Sequence, residues 1–334
     1  MSASDEFFSA SEAARRIGVS AKALRLYEAR GLIRPLRSAA GWRTYGPTQM
    51  EAAAEVAALR ALGLSLRQVA AVLAGDAARL DAALVQHRDL LEVRLREIGG
   101  ALERVRALRA RLADGRAPEP GELSELVRGA AAGSVAFELP WPWGGERFEL
   151  PSLAAITYIV GPLGSGKTRL AEALAAAVPG GVFVGLERAA YGDGEPGGRI
   201  AEALDWLVED GATRSDALLT LLGALEHEGP AAVVIDMVEQ GLDQATQEAL
   251  AGWLRHRRVD RRPLFLMTRS TSILDLDAVG PDEAIIFCPA NHSPPFLVPP
   301  YPGSLGYEAM ATCLGTPEVR ARMAGTIAWR PKVA

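Results

Sequence analysis

Between Phe8 and about Leu73, apolar and polar positions recur at helical spacing in short runs that Gly-containing turns interrupt. Ser9-Ala-Ser-Glu12 reads as a capping box opening a helix through Arg16; Ile17-Gly18-Val19 makes a tight turn, and Ser20 caps a second helix through Ala29. A Pro-containing loop and Gly41-Trp-Arg-Thr-Tyr45 follow, then helices around Gln49–Leu62 and Ser65–Leu73. From Ala77 to Leu112 the period changes. Leu84, Leu91, Ile98, Val105 and Leu112 fall seven apart, with Leu80, Leu95, Leu102 and Leu108 filling the same side. This repeat predicts one long helix and a coiled-coil contact in a homodimer, the alternative being a helix packed on its own domain. The Gly99-Gly100 pair is a defect in it and a place for a bend.

Asp114 to Glu122 has the Pro, Gly and charge of a linker. Beyond it, extended segments at Val135–Leu139 and Arg147–Leu150 flank a Pro-Trp-Pro-Trp-Gly-Gly turn and predict a hairpin. Apolar strands are expected at Ile156–Val160, Val182–Leu186, Ala232–Ile235, Leu264–Met267 and Ala284–Phe287, with helical patterns between most of them. Buried strands alternating with helices imply a mainly parallel sheet covered on both faces. The expected organisation is a winged helix-turn-helix over 1–75, a dimerisation helix over 76–113, a linker over 114–130 and an α/β domain over 131–334 with a small antiparallel β-layer. The stretch from Ala290 to Met310, rich in Pro and Gly, is expected to be irregular and carries no functional reading.

Charge changes the picture of the first segment. The whole chain carries −5 at pH 7, yet between Ser9 and Gly46 eight basic residues face only Glu12 and Glu28, a local charge of +6. A basic module on an acidic body is the electrostatic footprint of a DNA-binding head. No run of about 18 apolar residues exists to span a membrane, and the first residues lack the basic start and apolar stretch of a secretory signal. Cys288 and Cys313 show no zinc-ligand spacing and read as reduced thiols, which with the missing leader predicts a cytoplasmic protein. The four histidines show no paired spacing for metal or triad chemistry.

In a helix-turn-helix the second helix enters the major groove. Here Lys22 and Arg25 lie three apart and share a face of it. The run IGVSAKALRLYEARGLIRP, then GWRTY, then LRALGLSLRQVAAVL resembles the N-terminal module of MerR-type transcription regulators, over about the first 75 residues and on into the dimer helix. The resemblance implies a homodimer on double-stranded promoter DNA, with RNA polymerase as partner and activation by bending and untwisting an overlong spacer. By it, Ser20, Lys22, Arg25 and Tyr27 meet the recognition site, and Arg43 and Tyr45 sit in the wing and grip phosphates or the neighbouring groove. Ordinary solvated surface charge is the alternative for Arg25 and Arg43. With no cysteine near the dimer helix, metal sensing is not expected.

Gly161-Pro-Leu-Gly164-Ser165-Gly166-Lys167-Thr168 fits the P-loop pattern, directly after an apolar strand and at the start of a helix. Its glycines let backbone N–H groups turn onto phosphates, Lys167 reaches the outer phosphates and Thr168 meets Mg²⁺. Ala231-Ala-Val-Val-Ile235-Asp236 supplies a carboxylate for Mg²⁺ or its water shell, and Gly241-Leu242-Asp243 follows it. With these motifs the second half resembles ABC-type or SMC-like ATPases, which implies ATP and Mg²⁺. Trp141 or Trp143 is a candidate for stacking on adenine, or a core residue near a Pro-rich turn.

Several positions depart from that pattern. Met237 stands where the family has a catalytic Glu, Glu239 falls three positions after Asp236 and is expected to point elsewhere, and Arg269 stands where the family has a histidine that senses the γ-phosphate. Near Ala212 to Asp216 only Thr213 resembles the family's Ser-Gly-Gly motif. The sequence therefore predicts nucleotide binding with slow or absent hydrolysis. The basic cluster Arg255 to Arg258 with Arg261 and Arg262 reads either as a DNA or phosphate contact or as a complement to a helix dipole. The leading expectation is a homodimeric regulator switched by ATP. The alternatives are an active ATPase or small-molecule kinase tethered to DNA, and an architectural DNA-binding protein whose P-loop is only structural.

Overall fold

The computed structural model describes residues 7–38, 40–116, 134–188, 196–256 and 262–316. Most of the expected linker therefore lies outside the described residues. The head begins with α1 (Ala10–Ile17), whose first turn is capped by the Ser9 hydroxyl accepting from Glu12 N–H at 3.3 Å, and which Gly18 closes at φ 79°. The Ser20 hydroxyl caps α2 (Ala21–Ala29), accepting from Ala23 N–H at 3.1 Å. A two-stranded wing follows, β1 (Leu36–Arg37) antiparallel to β2 (Arg43–Thr44). Then come α3 (Pro47–Ala61) and α4 (Leu66–Leu73), the latter opened by a Ser65/Gln68 capping box. Leu24, Tyr27, Tyr45, Val56 and Val69 fill one small core between these helices.

Asp76 caps α5 (Ala77–Ala113), which continues as helix through Gly99 and Gly100. Leu80 packs onto the head, but Leu84, Leu91, Leu95, Ile98, Leu102, Val105 and Leu112 are exposed. An apolar row of this length is unfavourable in water, since each such side chain gains about 1.5–3 kcal/mol on full burial.

The second half is a six-stranded sheet flanked by helices. Its strand order is β10 (Phe296–Leu297), β9 (Glu283–Phe287), β5 (Ile156–Val160), β8 (Leu264–Met267), β7 (Ala232–Ile235) and β6 (Gly181–Val184). All neighbours are parallel except the edge strand β10, which runs antiparallel to β9. Period-two alternation survives inside the buried strands. Tyr158 and Val160 face the core under α7 (Gly198–Asp210), α8 (Asp216–Glu226) and α9 (Gln244–His256), whereas Ile159 faces α6 (Lys167–Ala177) and the hairpin of β3 (Val135–Glu138) and β4 (Arg147–Leu150). The region expected to be irregular is partly ordered: it supplies β10 and α10 (Tyr307–Ala311), and Gly315 forms a parallel bridge to Ser270. Apolar Phe296 and Val298 packed on the large core account for that order. Among the described residues no helix is long and apolar enough to cross a membrane.

The two halves touch. Asp210, at the end of α7, meets Arg60 of α3 at 2.7 Å, and the side chains are only 1% and 12% exposed. Beside them the His256 ring packs on Trp206 at 6.1 Å between centroids. Burial, with Arg60 and Arg255 nearby, holds the imidazole down to about 3. An unfolded histidine titrates near 6.5, so between about 6.5 and 3 the unfolded chain binds the extra proton and the folded chain does not. Stability is complete above that window and falls as the pH drops through it, by at most about 1.4 kcal/mol per pH unit. Thermal melts from pH 7 to pH 4 are expected to show this slope, and His256→Leu to flatten it; an equal slope in both proteins would assign the acid sensitivity to other groups.

Candidate functional site

The P-loop joins β5 to α6, and its glycines are required by space as well as by φ. A Cβ on Gly161 would strike the backbone carbonyl of Cys288, at the end of β9, and the Ser165 hydroxyl. Gly164 and Gly166 hold φ of 78° and 90°, and a Cβ on Gly166 would fall 2.7 Å from the Trp143 ring. Trp143 is buried, its indole N–H donating to Ser293 C=O at 3.1 Å, so it braces the loop, whereas Trp141 is exposed and lines the cavity mouth. Gly161→Ala is expected to destabilise the fold by about 1–3 kcal/mol, because backbone rather than a flexible side chain must move. Denaturant unfolding checks this, and an unchanged midpoint would mean the loop has room to spare.

With only glycine at these points, the loop wraps a cavity of about 820 Å³ lined by Lys167, Thr168, Asp236, Glu239, Gln247 and Arg269, among others. Lys167 Nζ turns back onto Pro162 C=O at 2.6 Å, and burial pushes its ammonium below the usual lysine range. The Thr168 hydroxyl donates to Asp236 at 3.5 Å, and burial raises the Asp236 carboxyl. A triphosphate fits this cradle: its negative charge would relieve the cost of holding Lys167 charged, and Thr168 with Asp236 forms a hard oxygen pair suited to Mg²⁺.

While Gly161 lies at the base of the loop against Cys288, the structure brings Gly164, Ser165, Gly166, Lys167, Thr168, Asp236 and Arg269 to one cavity. It also brings Glu239 there. Glu239 is buried and accepts Arg269 N–H at 3.0 Å, correcting the expectation that it points away. The tight turn after Asp236 returns the chain: Met237 sits at φ 44°, a strained conformation for a non-glycine residue. Arg188 was missed by sequence. It stands beyond β6 and donates to the carbonyls of Asp236 and Met237, both at 2.7 Å, which pins that turn. Nothing in its spacing pointed to this role. Arg255 of the basic cluster pairs with Glu283 at 3.0 Å, and Arg262 donates to Leu225 C=O, also at 3.0 Å; the residues between 257 and 261 lie outside the described residues. Cys288 is a buried thiol pushed up to about 12.

In the head, Arg25 and Arg43 are exposed, as is Trp42 at the wing. Of the other expected DNA contacts, Tyr27 and Tyr45 are 5% and 0% exposed and sit in the head's core, and the Ser20 hydroxyl caps α2. Lys22 is half-buried against the second half of the chain.

Fold and loop together define the class: a helix-turn-helix head joined to an α/β domain with a P-loop cavity. The family model for MerR HTH family regulatory proteins matches residues 8–76. A Vibrio cholerae protein, HTH-type transcriptional regulator CueR, is 34% identical over 115 residues, which is 34% of this chain and 81% of that one. A Haemophilus influenzae protein named "Probable heavy metal-dependent transcriptional regulator" is 45% identical over 65 residues, 19% of this chain and 51% of the relative, so the chain spans about half of that protein's length. The chain belongs to the MerR family of helix-turn-helix regulatory proteins. The SMC head domain from Thermotoga maritima is similar at 14% identity and a TM-score of 0.30, covering 46% of this chain and 93% of that one; the α/β assignment rests on the strand order and the loop described above.

Proposed function

We propose that this chain is a homodimeric transcription regulator whose promoter binding or distortion is set by ATP held at the P-loop, with RNA polymerase as partner and the cytoplasm as its place of action. The observation that carries this reading is a complete phosphate cradle with Met237, which cannot take a proton, directly after Asp236. Such a site is built to hold a nucleotide longer than to turn it over. Gly161, Gly164, Ser165 and Gly166 shape the cradle, Lys167 binds the outer phosphates, and Thr168 with Asp236 would hold Mg²⁺. Bound Mg²⁺ neutralises part of the triphosphate charge. Arg269, at the cavity wall, would report whether the outermost phosphate is present.

On the DNA side, Lys22 and Arg25 of α2 read the groove and Arg43 holds the backbone, supplying salt-sensitive affinity. The exposed row on α5 pairs two chains and sets the distance between their heads. Glu substituted for both Leu95 and Ile98 is expected to shift the protein from dimer to monomer in analytical ultracentrifugation and to weaken operator binding at least tenfold. A monomeric parent protein would remove this role from α5. Distorting a promoter costs on the order of 1–6 kcal/mol, within reach of a ligand that prefers one of two arrangements.

The test is binding to DNA upstream of the protein's own gene with no nucleotide, ADP, ATP or a non-hydrolysable analogue, with Lys167→Ala as control. Triphosphate-dependent affinity that the variant lacks supports the switch; identical binding throughout rejects it. Glu239 sustains a second reading, an ATPase tethered to DNA, because a buried carboxylate does line the cavity. Turnover that Glu239→Gln abolishes would favour that enzyme.

A further inference from the structure

Lys22, the first groove-facing cation of α2, is not free for DNA in this arrangement. Its Nζ lies 3.2 Å from Glu248 of α9, 3.2 Å from the Ser272 hydroxyl and 3.5 Å from Thr271 C=O. The same α/β domain grips the head at a second place. Asp210 takes both guanidinium nitrogens of Arg60, at 2.7 and 3.2 Å, and caps the start of α4 by accepting Leu66 N–H at 2.8 Å. Around it, Arg30 donates to Asp210 C=O, the Ser65 hydroxyl to Glu209, and the Trp206 indole to Gly63 C=O. We propose that the α/β domain is a docking surface for the chain's own head, and that α7, α9 and the Thr271–Ser272 segment hold α2 closed until it is released onto DNA.

Three observations support a reversible contact and not a permanent seam. Its bonds are mostly polar, whereas permanent interfaces resemble a domain core cut in half. Between the two grips lies a cavity of about 600 Å³ with Lys22, Arg60, Glu248, Arg255, His256 and Asp275 on its walls, so the contact is not sealed by packing. And the carboxylate on Lys22 stands where a DNA acceptor would otherwise be: a helix with α9 against its first turn cannot enter a major groove. The inference rests on the reading that the head binds DNA, and it adds how that binding is restrained.

The contact also has an address near the P-loop. Arg269 lines the cavity, and two and three residues later the same segment supplies Thr271 C=O and the Ser272 hydroxyl to Lys22. Ser270 between them is fixed to Gln247 at 2.6 Å, and Gln247 also lines the cavity. One short segment therefore touches both sites, and a rearrangement at the cavity wall has a direct path to α2 that bypasses α5.

The chain holds only three lysines, Lys22, Lys167 and Lys332, which makes Lys22 separable in an acylation experiment. The full-length protein, without nucleotide, is treated briefly with an acetylating ester, and Lys22 modification is measured by mass spectrometry relative to Lys332. Glu248→Gln removes the direct partner. Asp210→Asn breaks the distant grip and is bonded to Arg60, Arg30 and Leu66 rather than to Lys22, so its effect on Lys22 cannot come from a lost neighbouring charge. Both variants are expected to raise Lys22 acylation about fivefold and to tighten DNA binding by a similar factor, as released population. If Asp210→Asn does not fold, Trp206→Phe, which removes the indole donor to Gly63 and no charge near Lys22, takes its place. Equal Lys22 reactivity in all proteins overturns the closed head whether or not DNA binds. Raised reactivity with no DNA binding in any protein leaves the docking intact and rejects the DNA reading instead. Raised reactivity with DNA affinity unchanged from a tightly binding parent would falsify masking.

Discussion

Lys167→Ala is expected to weaken ATP binding about a hundredfold while leaving the melting temperature unchanged or slightly higher. The two halves of this result have separate causes. A charge-assisted hydrogen bond to phosphate contributes about 1.5–3 kcal/mol, and its loss in a partly dry site lies at the upper end of that range. Without nucleotide, the ammonium is held in a buried place where burial already pushes its pKa down, with Pro162 C=O at 2.6 Å as its close acceptor. Removing it therefore relieves a cost in the empty protein. Calorimetric titration with ATP and a thermal melt of the same preparation check both parts. Loss of affinity accompanied by a lower melting temperature would make Lys167 a structural residue first.

Asp210→Ala is expected to cost about 3–5 kcal/mol of stability, because it leaves Arg60 charged, largely buried and without its carboxylate. The pair is nonetheless expected to add little net stability, because both charges had to leave water. Burial raises the Asp210 carboxyl above its ordinary range even with Arg60 and the Leu66 N–H opposing it. Replacing both partners with apolar residues of similar volume, Arg60→Met with Asp210→Leu, is accordingly expected to cost much less than Asp210→Ala alone. Urea titration of the three proteins distinguishes these cases. A double variant as unstable as the single one would show that the remaining bonds around α4 and α7, and not the charge pair, dominate.

How much of this was legible beforehand follows from which interactions are local. Ser9, Ser20 and Ser65 each cap the helix that begins at the next residue, so one or two turns of sequence suffice to place them. The P-loop is readable for the same reason: glycine spacing, Lys167 and Thr168 lie within eight residues, and the strand before and the helix after are apolar runs of ordinary length. What could not be read are contacts that close across the chain. Arg60 and Asp210 are 150 residues apart and Lys22 and Ser272 are 250 apart, with no periodicity linking either pair. Tyr27 and Tyr45 could not be placed because an aromatic residue on a basic helix or wing reads equally as a DNA contact or as core, and the sequence does not show their burial. Glu239 was misplaced because spacing along an extended chain does not anticipate the turn at Met237.

The short strand β10 has a consequence outside the site. Parallel sheets end in rows of unpaired N–H and C=O groups, and β9 would be such a row were Phe296 and Leu297 not paired with Phe287 and Ile286. A strand only two residues long, flanked by Pro294-Pro295 and Pro299-Pro300, is a poor template for a further strand, so the sheet stops there. Proteolytic removal of the segment from Phe296 onward would thus turn a blunted margin into an adhesive one, open to strand pairing between molecules.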